Sequence, residues 1–348
     1  DPKRVAWSGI VVTGRDECDE EMCLQAARFA RLYGGPANDG RAVDQPERGR
    51  IRRFGDTREA LAKLCADSDI LIVWGVADLG QYLDRLRFAG QVVLVSHGAG
   101  NWTETILRES QRAADWLVGV SRPAAAAFGA PRAVVIHNGG DQDRCQVSRS
   151  REAVRSDWGA HEGERLIGYV GRYSWEKNPL AAALAANALG APYRAVYVGS
   201  GWKEREVRAA VGRLTTDALF APPQNQIGNV LNALDVMVLA SPSEGFSLVL
   251  TEAWLCGLPT VATRVGAVPE LEAIHGRLVT PAPVRATAEE LAAAVKTAIA
   301  PENGSVVERA KSVAWRHYTA RAMADRWTEF LSQIASPARA GSARTESA

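Results

Sequence analysis

Two glutamates eight positions apart, Glu244 and Glu252, are the residues of this chain whose types and spacing most suggest chemistry. The apolar run at 236–240 predicts a buried strand before them. A helix is expected to follow Gly245 and to end at Gly257, a residue type that suits the position after a helix. Glu244 then lies in the loop before this helix, and Glu252 lies about two turns into it.

The entry into the predicted helix suits an anionic ligand. The free backbone amides of Phe246, Ser247 and Leu248 would point back at the loop, where the helix dipole favours a phosphate. Gly245 lets the backbone turn sharply and approach a ligand closely.

The residues around the two glutamates resemble a known family pattern. Gly-Phe follows the first glutamate, and Ala-x-x-x-Gly-x-Pro follows the second. This Glu-x7-Glu motif is similar to that of the retaining glycosyltransferases of family 4. The resemblance implies that Glu244 faces the donor sugar and that Glu252 binds the ribose hydroxyls of the nucleotide. A glycosidase, whose two carboxylates act as acid and as nucleophile or base, is the chemical competitor, and nucleotide-binding features elsewhere weigh against it.

Two cations follow a glycine at the end of another predicted strand, at 166–170. Gly171-Arg172 and Lys177-Asn178 resemble segments of the same family. Ligands of open α/β sheets bind at this edge, so Arg172 and Lys177 would neutralise the donor diphosphate and stabilise it as it leaves. We expect Asn178 to cap the helix that follows. The alternative is a surface loop with two solvated charges.

Further donor-side positions follow the next strands. Gly199 and Gly201 form a Gly-x-Gly turn that fits close approach to a nucleotide. Phe220 is expected to contact the base, by analogy with the family alone. The segment 266–270 matches another family loop and is interpreted first as structural and second as ligand-binding.

The first half of the chain offers a histidine and several turn residues. His97 follows the strand at 92–95, and its position resembles that of the family histidine near the donor sugar; an ordinary structural histidine is the alternative. Asn138 lies in a turn that resembles the family segment at the end of the first domain. Relatives carry adjacent glycines after the first strand, whereas this chain has the single glycines Gly9 and Gly14. The expected acceptor or phosphate loop positions are Gly9, Gly14 and Asn138.

Composition excludes several classes. The chain has 348 residues, a net charge of +1 and 47% hydrophobic residues, which indicates a globular protein large enough for two cores and not a nucleic-acid-binding one. Five irregularly spaced cysteines argue against a disulfide framework and against a zinc site. With no apolar run of transmembrane length and no signal peptide pattern, we expect a cytoplasmic protein. The family's lipid acceptors leave peripheral contact with the inner face of the membrane open.

Strand-like and helix-like runs alternate along the chain, which predicts parallel sheets covered by helices. The strands are expected at 4–7, 70–74, 92–95, 116–120, 133–136, 166–170, 194–198, 218–220, 236–240 and 260–262, with helices at 20–32, 57–66 and 103–113 and one long helix from about 305 to 334. The fold class is therefore α/β, and the resemblance implies the GT-B architecture, in which two Rossmann-like domains face each other across a cleft. The expected divisions are an acceptor-side domain at 1–145, a linker at 146–164, a donor domain at 165–318, a helix crossing back to the first domain at 319–335 and a disordered tail at 336–348.

The sequence thus predicts a retaining hexosyltransferase that moves a sugar from a nucleotide-diphosphate sugar to a hydroxyl of a small molecule, saccharide or lipid-linked acceptor. No metal and no further cofactor is expected, because the cations and helix amides can hold the leaving diphosphate. A nucleotide-sugar epimerase of similar architecture and an inactive nucleotide-sugar-binding protein are the alternatives. The extensive motif disfavours the first, and the complete set of donor-side charges disfavours the second.

Overall fold

The computed structural model describes residues 68–74, 88–98, 101–215 and 217–335. The predictions for the strand at 4–7, the helices at 20–32 and 57–66, the loop of Gly9 and Gly14, and the tail at 336–348 lie outside the described residues.

The first described sheet has four parallel strands in the order β1-β2-β3-β4. Their bounds are Ile70–Trp74 (β1), Gln91–Ser96 (β2), Trp116–Gly119 (β3) and Val134–Val135 (β4). Residues 92–96 of β2 are all buried, as a central strand covered on both faces requires. Helices α1 (Asn101–Ser110) and α2 (Arg122–Ala126) belong to this half of the chain. The Ser121 side chain caps α2 by accepting from the amide of Ala124.

The second sheet has six parallel strands in the order β10-β9-β8-β5-β6-β7. Their bounds are Arg165–Val170 (β5), Tyr193–Val198 (β6), Leu219–Ala221 (β7), Val236–Leu239 (β8), Thr260–Thr263 (β9) and Thr280–Ala282 (β10). The chain builds outward from β5 to β7 and then returns to pair β8 with the other side of β5. This reversal between β5 and β8 opens a crevice at the carboxyl ends of the strands, the place where open α/β sheets bind ligands.

The helices of this second half are α3 (Arg151–Asp157), α4 (Leu180–Leu189), α5 (Glu204–Leu214), α6 (Ile227–Ala233), α7 (Leu248–Leu255), α8 (Val268–His275), α9 (Ala288–Ile299), α10 (Gly304–His317) and α11 (Ala320–Ile334). Alternation of these helices with the strands confirms the α/β prediction. No helix among the described residues is both long and apolar enough to cross a membrane.

The predicted single helix from 305 to 334 is wrong, because the chain forms two helices separated at Tyr318 and Thr319. Gly140 causes the break: its amide donates to the carbonyl of Tyr318, and its carbonyl accepts from the amide of Ala320. The Thr319 side chain then starts α11 by accepting from the amide of Ala322. A contact with a residue almost 180 positions earlier therefore sets this boundary.

Helix α11 reaches back to the first sheet. The Gln91 side chain donates to the carbonyl of Ile334 at 2.9 Å, and the ring of Phe330 packs edge-on against Trp116 with centroids 5.9 Å apart. One buried apolar cluster accordingly contains Val93 and Val95 of β2 together with Phe330. The C-terminal helix thus joins the cores of both sheets.

The segment predicted as a linker, 146–164, contains helix α3. Arg151 and Arg155 of this helix each donate to the carboxylate of Asp235 at 2.7 Å, and the amide of Leu166 donates to the same carboxylate. The Asp235 side chain is only 9% exposed, so a largely buried carboxylate fastens the segment to the second domain.

Candidate active site

The loops after β5 and β8 meet at the crevice between these strands and bring Lys177 to Glu244. The Lys177 ammonium lies 2.9 Å from Oε1 and 2.8 Å from Oε2 of Glu244. The two side chains are 28% and 10% exposed, so the pair is largely withdrawn from solvent. A carboxylate with so little contact with solvent is stabilised by a paired cation.

Asn178 explains how Lys177 reaches this position. Asn178 adopts the left-handed conformation (φ 47°), which asparagine tolerates better than most residues. Its side-chain amide donates to the carbonyl of Ala240 at 3.1 Å, which ties the β5 loop to the end of β8. The predicted capping role of this side chain is wrong, since the helix starts at Leu180 with Pro179 before it and no side-chain cap. Asparagine instead positions the lysine.

Gly245 is required for a reason that the sequence did not indicate. It is not among the glycines with positive φ; instead, a Cβ at this position would lie 2.0 Å from the backbone carbonyl oxygen of His97. The loop after β2 in the first domain therefore rests directly on the loop that carries Glu244. His97 and Glu244 consequently stand on two facing loops.

The His97 side chain is exposed in the described structure, although desolvation by surrounding atoms lowers its pKa to about 4. A fully solvated imidazole titrates near 6.5, so an exposed and a desolvated His97 carry the same charge above pH 7. His97 is therefore mainly neutral above pH 7 and can donate or accept a hydrogen bond.

Glu252 has a partner that the sequence did not reveal. Arg144 donates to its Oε1 at 2.9 Å, and the two side chains are 23% and 8% exposed. The carbonyl of Asn225 accepts from Arg144 Nε at 2.9 Å, and the Asp141 carboxylate accepts from the Arg144 backbone amide. The arginine is thus held over the carboxylate from two sides. Its position just after the Asn-Gly-Gly-Asp turn was the one available signal.

Arg172 extends from the same edge of the sheet toward solvent. Its guanidinium donates to Glu176 at 2.7 Å and lies over the ring of Trp202, 5.9 Å from the centroid. The Tyr169 hydroxyl donates to the Arg172 carbonyl at 2.5 Å, which fixes the backbone of the loop. Burial raises the pKa of Tyr169, so this hydroxyl stays protonated as a donor.

The glycine turns after β5 and β6 are in close contact. A Cβ at Gly199 would lie 2.0 Å from the carbonyl oxygen of Gly171, and one at Gly201 would lie 2.8 Å from the Tyr173 amide nitrogen. The Tyr173 amide also donates to the carbonyl of Ser200. These glycines therefore allow the two loops to pack together, and their predicted contact with a nucleotide stays a prediction.

Phe220 has an aromatic and a cationic neighbour within the protein. Its ring stacks on Tyr197 at 4.9 Å, and the Arg208 guanidinium lies 4.3 Å from its centroid. Its predicted contact with the base is not tested by this arrangement and stays a prediction.

The start of α7 places the other predicted donor-binding residues. The Ser247 hydroxyl accepts from the amide of Leu250, and the helix begins at Leu248. The Phe246 ring is buried between His137 and Tyr318, with centroids 5.8 and 5.9 Å away. The backbone amides at this helix start remain the groups predicted to bind phosphate.

Asn138 lies in the joint between the domains. It is buried, and a Cβ on the neighbouring Gly139 would lie 2.1 Å from the Thr319 carbonyl oxygen. Nearby, the Glu270 carboxylate binds His137 at 2.7 Å and accepts from the amide of Arg122 at 2.9 Å. Glu270 thus links α8 of the second domain to the start of α2 and to the segment after β4 in the first, in line with the mainly structural interpretation of its segment.

In the part of the chain that the structure describes, no group of three or more acidic, histidine or cysteine side chains is placed to hold a metal ion.

Comparison with known proteins adds the family context. Residues 164–300 match the family model described as "Glycosyl transferases group 1". D-inositol 3-phosphate glycosyltransferase of Mycolicibacterium smegmatis is 32% identical over 195 residues, which cover 53% of this chain and 44% of that protein. N-acetyl-alpha-D-glucosaminyl L-malate synthase of Bacillus anthracis is 28% identical over 133 residues, covering 37% and 35%. The chain therefore spans less than half the length of these relatives.

Solved structures identify the architecture. HepE of Anabaena in complex with UDP-glucose superposes with a TM-score of 0.68 at 21% identity, over 80% of this chain and 82% of that one. Sucrose-phosphate synthase of Thermosynechococcus elongatus gives a TM-score of 0.67 at 18% identity, over 81% and 78%. The fold is GT-B, as predicted.

Proposed function

We propose that this protein is a retaining glycosyltransferase that moves a sugar from a nucleoside-diphosphate sugar to a hydroxyl acceptor. The observation that carries the proposal is the pair of motif glutamates at the crevice beside β5 and β8, each held by a cation. Support comes from the match of residues 164–300 to the group 1 glycosyltransferase model and from the similarity to a UDP-glucose-bound structure.

The donor would lie along the carboxyl edge of the second sheet. Glu252 would accept hydrogen bonds from the ribose hydroxyls, while Arg172, Lys177 and the amides at the start of α7 would hold the diphosphate. Glycines at 171, 199 and 201 would let the backbone approach the nucleotide. The Lys177 ammonium has three donors, so it can contact a phosphate while it holds Glu244.

Retention follows from a reaction on one face of the sugar. The acceptor hydroxyl would attack from the side on which the diphosphate leaves, and the departing oxygen would take the hydroxyl proton. Negative charge grows on the diphosphate as the bond breaks, so Arg172 and Lys177 stabilise the transition state more than the ground state. Glu244 and the neutral imidazole of His97 would orient the sugar from the two facing loops. The proposal requires no metal and no further cofactor.

The acceptor is a hydroxyl compound in this proposal. The names of two relatives mention D-inositol 3-phosphate and L-malate, both small hydroxylated anions. These compounds therefore head the acceptor panel, with lipid-linked saccharides as a second group. We place the protein in the cytoplasm, with peripheral membrane contact if the acceptor is a lipid.

The test starts with nucleotide binding. UDP, GDP and ADP are titrated separately into the purified chain, and the shift in melting temperature and the heat of binding are measured. The nucleotide that binds is then offered as its sugar conjugates with each acceptor, and NMR of the product reports the anomeric configuration.

The possible results of the binding and transfer assays distinguish the candidate functions. Transfer with retention supports the proposal, whereas an inverted product contradicts the retaining mechanism. Conversion of the donor without any acceptor identifies an epimerase, and binding without turnover identifies a binding protein. No binding of any nucleoside diphosphate to the folded chain refutes the donor site.

A further inference from the structure

Two cysteine thiols meet directly behind Glu252. Cys145 follows Arg144 in the turn that leaves the first domain, and Cys256 comes one helical turn after Glu252, at the end of α7. Each thiol donates to a backbone carbonyl of the other's surroundings, and each is close enough to shift the pKa of the other. The Cys256 Sγ lies 3.7 Å from the carbonyl oxygen of Cys145, and the Cys145 Sγ lies 3.8 Å from the carbonyl oxygen of Glu252. Residues 111 positions apart are thus within side-chain contact.

The two thiols differ in reactivity. Cys256 is half-buried, and the neighbouring Cys145 thiol lowers its pKa, with the Lys311 ammonium acting in the same direction. Lys311 packs against the next residue, Gly257: a Cβ built there would lie 3.6 Å from the ammonium nitrogen. The neighbouring Cys256 thiol and burial raise the pKa of Cys145. A lowered pKa and partial exposure are the properties of an attacking thiol, so Cys256 attacks and Cys145 resolves.

We propose that Cys145 and Cys256 form a reversible disulfide that lowers the affinity of the site for its nucleotide. The effect on affinity rests on the function proposed above for Glu252. The oxidant is a low-molecular-weight disulfide. The Cys256 thiolate attacks one of its sulfurs, the reagent's S–S bond breaks, and one thiolate leaves and takes up a proton. Cys145 then loses its proton and attacks the Cys256 sulfur, which releases the second thiol. Two cysteines are oxidised, and one disulfide is reduced to two thiols.

The position of the bond explains its effect. A disulfide holds its sulfurs about 2.05 Å apart, closer than two thiols that are not covalently bonded. Closing it draws the turn of Cys145 toward the end of α7, and Arg144, the preceding residue, moves with that turn. The bond would therefore shift Arg144, which contacts the Glu252 carboxylate, and turn that carboxylate out of the position from which it accepts the ribose hydroxyls.

The experiment uses the full chain after incubation with oxidised glutathione or with dithiothreitol. Intact mass and peptide mapping report the bond, which removes two hydrogens, about 2 Da. Separate titrations with UDP, GDP and ADP report affinity. We expect a peptide pair linked through Cys145 and Cys256 and about tenfold weaker binding of the preferred nucleotide, that is ~1.4 kcal/mol, both reversed by dithiothreitol.

Cysteine variants test whether the effect of oxidation comes from Cys145 and Cys256 and not from the other cysteines of the chain. Cys256→Ser and, independently, Cys145→Ala should bind nucleotide equally with and without oxidant. The triple variant Cys18→Ser, Cys23→Ser, Cys65→Ser should respond like the parent chain. Absence of the linked peptide from the folded protein, or a bond formed without a change in affinity, would overturn the inference. If the reduced chain binds no nucleotide, the proposed function fails together with the affinity effect, whereas the mass measurement still decides whether the disulfide forms.

Discussion

Replacing Glu252 by alanine separates a structural carboxylate from one that binds a nucleotide. In the structure this side chain is 8% exposed and accepts from Arg144 at 2.9 Å. Loss of a hydrogen bond to a charged group costs about 1.5–3 kcal/mol. Arg144 is 23% exposed and keeps its bond to Asn225, so it can be rehydrated after the substitution. We therefore expect the free energy of unfolding to fall by ~1.5 kcal/mol, at the low end of this range.

The loss of nucleotide affinity should be larger. If both ribose hydroxyls donate to the Glu252 carboxylate, the variant loses about 1.5–3 kcal/mol of binding free energy. This loss raises the dissociation constant about 10- to 150-fold. Isothermal titration with the preferred nucleoside diphosphate measures this change. Circular dichroism and thermal melting confirm that the variant is folded.

Arg144→Gln is the matched control, because it breaks the same ion pair and leaves the carboxylate in place. It should lower stability by a similar amount but weaken nucleotide binding less than about fivefold, or ~1 kcal/mol. The reasoning is refuted if Glu252→Ala binds the nucleotide as tightly as the parent chain. It is also refuted if Arg144→Gln loses as much affinity as Glu252→Ala, since the ion pair and not the carboxylate would then be the binding group.

Three further predictions concern the other groups of the site. Lys177→Met should lower turnover at saturating donor about ten- to a thousandfold, because both Glu244 and the leaving diphosphate lose a cation, and Lys177→Arg should retain more activity. Equal turnover in the parent chain and both variants would make the lysine a purely structural partner. His97→Ala should slow transfer but leave the affinity for free nucleoside diphosphate and the pH profile above pH 7 unchanged, since the imidazole is already neutral there. A loss of melting temperature without a specific loss of transfer would indicate a structural histidine. Glu270→Ala should lower the free energy of unfolding by about 1–3 kcal/mol, measured by denaturant titration, because its 7%-exposed carboxylate joins the two domains; an unchanged stability would contradict that role.

Local sequence patterns were sufficient for most of the second sheet. The apolar runs at 166–170, 194–198 and 236–240 predicted strands within one residue of their observed ends, because buried parallel strands are continuous hydrophobic runs. The motif around Glu244 and Glu252 likewise predicted the loop and the helix that carry them. Strand order was beyond these patterns, and it is the order that places the β5 loop beside the β8 loop.

Features set by distant contacts could not be predicted. The break at Tyr318 depends on Gly140, and the partner of Glu252 is an arginine 108 positions away. Gly245 looked like a turn residue, yet its lack of a Cβ serves the approach of His97 from the other domain. In each case the residue type was informative, but its physical reason lies in a segment that only the fold brings near.

The charges of the site are balanced before any ligand binds. Lys177 is paired with Glu244, Arg144 with Glu252 and Arg172 with Glu176. Three cations and three carboxylates leave this set of side chains with no net charge to attract a diphosphate from a distance, and long-range attraction depends on net charge. Recognition would therefore depend on directed donors at short range: the amides at the start of α7 and the N–H groups of cations that the carboxylates already hold in place. Such preorganised donors need little rearrangement as charge develops on a leaving diphosphate, which is the condition for electrostatic stabilisation of a transition state.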